Sequence, residues 1–123
     1  MAIKVAHWEL MGPDAGALVE FYSRVFGWTP QAAPGFDSYH LVDVAQVEPG
    51  GAIGQGSDER PAYSVFYFEV DSIDGHLAKV EESGGSTVMP RTVIPGTVAF
   101  AMFTDPAGNM VGLVEPVVPP TEA

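Results

Sequence analysis

A chain of 123 residues with 46% hydrophobic content is the size of one folded domain with a buried core. Sixteen acidic residues against five basic ones give a formal charge of −11, which repels nucleic acid and anionic membrane surfaces, so neither is an expected partner. Cysteine is absent, which excludes disulfides, thiolate nucleophiles and thiolate metal sites and leaves His and carboxylates to hold any metal. No apolar stretch approaches the length of a membrane span and no secretory signal pattern opens the chain, so the expected compartment is the cytoplasm. The acidic balance suits solubility first and a cationic small molecule second.

Alternation from Ile3 to Leu10 predicts a strand, and Gly12-Pro13-Asp14 turns it into a helix with Asp14 as N-cap. Leu18, Phe21, Tyr22, Val25 and Phe26 recur at helical spacing as one apolar stripe, which Gly27 ends. "FDSYHLVDVA" and "GGAIGQG" read as short strands with turn material at Glu48 to Gly50. From Pro61 the order begins again. "AYSVFYFEV" is a strand, and "DSIDGHLAKVEESGG" is a capped helix with Ile73, Leu77 and Val80 on one face. "STVMP", "TVAFAMFTD" and "NMVGLVEPV" are three further strands, the last preceded by the turn "DPAGN".

The chain therefore reads as two copies of a β-α-β-β-β unit, residues 1–56 and 61–116, joined by a linker at 57–60 and followed by a loose proline-rich tail at 117–123. Each unit has one amphipathic helix and a sheet with a second face to cover, so the expected fold is α+β, with the two sheet faces buried together around a concave ligand surface.

His7 seven residues before Asp14, "FYSRVFGW" closing the first helix and "DPAGN" before the final strand together resemble the vicinal oxygen chelate superfamily, whose members include glyoxalase I, bleomycin-resistance proteins and extradiol dioxygenases. The likeness runs from Ile3 to Glu115 and is nearest to short glyoxalase-related proteins beginning His-x-Glu. It implies two βαβββ modules forming a half-open eight-stranded cup, usually in a homodimer. It also implies a divalent metal held by one residue from the first and one from the last strand of each module. His7 falls on the first of those positions. Matching Val70 to Gly12 puts Val65 at the second, and counting from the "DPAGN" turn puts Gly112 at a third, with Gly54 its counterpart in "GGAIGQG". A valine and two glycines ligate nothing, and a lone neutral imidazole does not hold a divalent ion against water. No cofactor is therefore expected. Two readings of the glycines stay open: a roomier floor for a flat ligand, or close strand packing.

Period-two alternation puts Val5, His7 and Glu9 on the cup face of the first strand and Ala6, Trp8 and Leu10 under the helix. Likewise Val65, Tyr67 and Glu69 face the cup, with Ser64, Phe66, Phe68 and Val70 behind. Glu9 and Tyr67 are then counterparts, and Glu9 is a candidate base, unless Lys4, Arg24 or Arg91 pairs with it. Tyr39, Tyr67 and Phe103 are candidate aromatic walls. His40 and His76 have no ligand spacing to His7. The ligand-binding set is His7, Glu9, Tyr39, Gly54, Tyr67, Phe103 and Gly112, and the expected function is metal-free binding of an aromatic or cationic small molecule. The alternatives are a divalent-metal-dependent glyoxalase-like lyase or isomerase with His7 as ligand, and a metal-independent enzyme moving a proton through Glu9 or His7.

Overall fold

The computed structural model describes residues 2–116, so the tail expected to be loose lies outside the described residues. The repeat read from the sequence is present: β1 (Lys4–Gly12), α1 (Ala15–Phe26), β2 (Gln31–Ala32), β3 (Tyr39–Val42) and β4 (Gly51–Gln55) precede β5 (Tyr63–Glu69), α2 (Ile73–Glu82), β6 (Ser86–Ile94), β7 (Val98–Thr104) and β8 (Met110–Glu115). The arrangement is α+β, as expected. Contacts divide it into one unit of residues His7–Val65 and another made of the residues up to Ala6 with those from Phe66 onward. None of the described helices is long and apolar enough to cross a membrane.

In the unit of residues 7–65 the strand order is β2-β3-β4-β1, with β1 and β4 parallel and the other pairs antiparallel. The Asp14 carboxylate accepts the Ala17 N–H at 3.0 Å, and Gly27 adopts φ 72°, the left-handed turn that closes α1 with its N–H on Ser23 O. Trp8 turns to the helix side, stacks on Trp28 and donates its indole N–H to Pro49 O at 2.7 Å. Its ring occupies the space over Gly51, where a Cβ would lie 2.1 Å from the indole, so this close approach demands glycine. Val42, Ala52 and Ile53 are fully buried in this unit.

The helix departs from expectation in one respect. The five apolar residues of α1 do not form one covered stripe: Leu18 and Tyr22 are partly buried, while Phe21, Val25 and Phe26 are 54%, 54% and 59% exposed. Five apolar positions span a wider arc than one sheet face covers.

In the other unit the order is β5-β8-β7-β6, with β5 and β8 parallel. Ser72 caps α2 by accepting the Gly75 N–H at 3.0 Å. Ile73 and Leu77 pack with Val70, Ala99, Ala101 and Leu113 into a core flanked by Phe68, Val93 and Phe103. Glu115 clasps this unit together. One oxygen accepts the first amide of α2, Ile73 N–H, at 2.7 Å, and the other accepts from Arg91 on β6 at 2.9 and 3.0 Å. Burial alone would raise the Glu115 carboxyl, but the Ile73 amide and the Arg91 guanidinium outweigh it and hold the group below its ordinary range. The "DPAGN" segment is the expected hairpin turn, its Asp105 carboxylate accepting the N–H groups of Ala107 and Asn109 at 2.9 Å. Phe66, expected behind the helix, is instead 64% exposed, whereas Phe68, two residues on, packs against the core that α2 covers.

Candidate functional site

The first module builds a polar run across three strands. Tyr39 on β3 donates its hydroxyl to Glu9 Oε2 on β1 at 2.5 Å, and His7 Nε2 lies 2.8 Å from the same hydroxyl. What lets a β3 side chain reach β1 is the residue between them. Met11, Gly54 and Tyr39 are directly in register on β1, β4 and β3, and Gly54 puts no side chain in the way. A Cβ there would lie 3.0 Å from both the Tyr39 ring and the Met11 methyl. The room left by Gly54 is thus filled by the protein's own phenol, and of the two readings of this glycine close packing holds.

The phenol has one proton, and a carboxylate only accepts. With that proton directed to Glu9, neutral His7 contributes Nε2–H to the phenol oxygen. Burial lowers the His7 pKa, partly opposed by the charge of Glu9. Burial, followed by the Glu9 charge and hydrogen bond, drives the Tyr39 phenol far above its ordinary value, so it stays a donor. Glu9 is 9% exposed, a buried carboxylate. Tyr63 also senses it: burial and Glu9 raise that phenol, with Arg60 pulling the other way. Phe36, with its ring centroid 5.8 Å from that of Tyr39, adds a partly exposed aromatic wall.

Lys4 forms an ion pair with Glu69, Arg24 with Glu20 and Arg91 with Glu115.

The second module repeats the glycine device in reverse order. Tyr67 on β5, Gly112 on β8 and Met102 on β7 are in register, and the Tyr67 ring lies directly over Gly112, where a Cβ would be 2.3 Å from ring carbon Cδ2. Tyr67 also meets the Phe100 ring edge to face at 6.5 Å. The pairing makes Met11 the counterpart of Tyr67 about the central glycine and Tyr63 that of His7, a shift of two residues from the match of Glu9 with Tyr67 and His7 with Val65.

Phe103 is a correction. It packs against the α2 core with Ala99 and Ala101, while Phe100 and Met102 share the face of Tyr67. Met11, Phe100 and Met102 were missed, although alternation from Gly54 and Gly112 through the strand registers points to them. His76 Nδ1 lies 2.7 Å from Ser72 O, and His40 alternates with Tyr39 and so points away from the His7 cluster.

A divalent ion does not fit these residues. Among the described residues no group of three or more His, Asp or Glu is placed to hold a metal. The His7 nitrogen Nε2 is engaged by a phenol, and Gly54 and Gly112 offer no side-chain donor atom at two of the other expected positions.

Residues 4–113 match the family described as the Glyoxalase/Bleomycin resistance protein/Dioxygenase superfamily. The chain is 31% identical over 122 residues to Anthracycline biosynthesis protein DnrV of Streptomyces peucetius, covering 84% of this chain and 43% of that protein. It is 28% identical over 111 residues to Putative glyoxylase CFP32 of Mycobacterium bovis, covering 88% and 42%. The chain thus spans less than half the length of these curated relatives. Among solved structures, methylmalonyl-CoA epimerase from Mycobacterium tuberculosis superposes with a TM-score of 0.64 at 15% identity, over 93% of this chain and 88% of that one, a likeness of fold.

Proposed function

The chain belongs to the glyoxalase/bleomycin resistance protein/dioxygenase superfamily, and we propose that within it this protein is a metal-free binder of a flat aromatic or cationic small molecule. The observation that carries this reading is the His7–Tyr39–Glu9 hydrogen-bond run beside Phe36 and Tyr63. Aromatic walls bury a flat ligand, and a few directed polar groups fix its orientation, with no reactive group required. The buried Glu9 carboxylate and the overall charge of −11 favour a cation. Similarity to a protein named for anthracycline biosynthesis supports a polycyclic aromatic ligand.

Titration of Trp fluorescence with a cationic anthracycline and with its amine-free aglycone tests this. Saturable one-to-one binding of either compound, weakened at least tenfold by Glu9→Gln for the cation, supports the reading. Absence of saturable binding by both sinks it. A thermal-shift series with Ni²⁺, Zn²⁺, Mn²⁺ and Fe²⁺ is run alongside, and stabilisation that disappears in His7→Ala would replace it with the metal-dependent lyase or isomerase. One observation favours a proton-transferring enzyme as the second reading. The His7 pKa is lowered by burial, so a neutral imidazole stands in a hydrogen-bonded run with a phenol and a carboxylate. Exchange of a ligand's carbon-bound proton with D₂O, lost in Glu9→Gln, would favour it.

A further inference from the structure

The segment from Ala33 to Tyr39 closes on itself before β3. Tyr39 O accepts the Ala33 N–H at 2.9 Å, and Ala33 O accepts the Phe36 N–H at 3.2 Å. The turn presents the Phe36 ring, 48% exposed, to the ring of Tyr39, with centroids 5.8 Å apart and planes inclined at 43°. On the far side of the same phenol lies the His7 ring, at 6.5 Å and 34°. We propose that the tilted Phe36–Tyr39 ring pair beside Glu9 takes an N-methylated or quaternary ammonium group in preference to a primary ammonium. The proposal rests on the ligand-binding reading above and narrows its cation to one class.

A primary ammonium leaves water readily only where several acceptors meet its N–H groups. Here the exposed wall is the Phe36 ring, which has no lone pair to offer. Behind it the Glu9 carboxylate is buried and accepts the Tyr39 hydroxyl at 2.5 Å, while the phenol oxygen has His7 Nε2 at 2.8 Å. A ligand at the rings therefore meets the carboxylate as a field more than as a hydrogen-bond partner. A quaternary ammonium has no N–H to satisfy, and its methyl groups spread the positive charge over a surface that suits ring faces. Two features strengthen those faces. A phenol that donates to a carboxylate gains electron density in its ring, and a buried charge is weakly screened. The charge reaches Tyr63 as well, where it helps to raise the phenol. Arg60 opposes it there, but Arg60 is exposed and more strongly screened by solvent.

Isothermal titration calorimetry of the full chain at neutral pH with benzyltrimethylammonium, benzylammonium and neutral benzyl alcohol tests it, run beside the anthracycline pair. Benzyltrimethylammonium is expected to bind about tenfold or more tightly than either other probe. Phe36→Leu keeps an apolar side chain at an exposed position but removes the ring face, and is expected to cut that preference to about threefold or less. Glu9→Gln is expected to weaken benzyltrimethylammonium and to leave benzyl alcohol unchanged. Equal affinity for the two ammonium probes, or tighter binding of the primary amine, overturns the proposal. So does a preference indifferent to both variants, which would place the cation elsewhere. Failure of all three probes in a protein that binds the anthracycline pair also overturns it and leaves the binder reading standing. Failure of the probes and the anthracyclines together removes both.

Discussion

Replacing Tyr39 with Phe removes one oxygen and with it the atom that joins His7 to Glu9. The ring remains over Gly54, so packing is preserved and the loss is polar. A hydrogen bond to a charged group contributes about 1.5–3 kcal/mol and one between neutral groups about 1 kcal/mol, so the variant loses roughly 2.5–4 kcal/mol at pH 8. For a chain of this length that lowers Tm by roughly 10 °C or more. Urea denaturation followed by Trp fluorescence gives the change as a shifted midpoint at constant slope. The pH dependence has a definite sign. Burial holds the native His7 pKa below its ordinary 6.5, so the unfolded chain binds the more protons. The contribution of neutral His7 is complete above about pH 6.5 and is lost as pH falls through the native value. In Tyr39→Phe the Glu9 carboxylate loses its phenol and acts more directly on His7, so the histidine titrates at higher pH by NMR and stability falls less steeply below pH 6.5. A midpoint within about 0.5 kcal/mol of wild type, with the His7 titration unmoved, would refute the reasoning.

Three other outcomes follow from the same geometry. Gly112→Ala drives a Cβ into the buried Tyr67 ring and is expected to cost about 1–3 kcal/mol by urea denaturation, more than Gly54→Ala, where the nearest contacts are 3.0 Å; the reverse ranking would contradict the packing. Asp14→Ala removes the α1 cap and is expected to cost about 1 kcal/mol, with Asp14→Asn retaining most of the stability in thermal melts. Glu115, held below its ordinary 4.5, contributes stability above that pH that is lost as pH falls through the native value, so Glu115→Gln flattens the acid side of the stability profile; an unchanged acid limb counts against the clasp.

Local signals carried most of the fold. Asp14, Gly27 and the "DPAGN" turn act through hydrogen bonds within a few residues of themselves, so composition and spacing suffice to place them. Trp8 fell on the helix side because its strand alternates cleanly. β7 does not: "TVAFAMFTD" is apolar on both faces, so the pattern lacks a phase, and Phe103 was set where Phe100 belongs. Phe21 and Val25 are periodic, yet periodicity does not report what covers them. The joining of His7, Tyr39 and Glu9 depends on the registers of β1 and β3 on β4 and on the missing side chain at Gly54, which only the paired strands bring into view. The glycines raised the question of room in the sequence, and the rings that occupy it came from elsewhere in the chain.

The Tyr67 ring seated on Gly112 amounts to a removable stopper. Under it lies bare main chain, so trimming that one residue to Ala would open a chamber of ring dimensions edged by Phe100 and Met102. A single codon change would then hand this scaffold a vacancy shaped for benzene-like guests, a starting point for redesigning its selectivity from inside the second module.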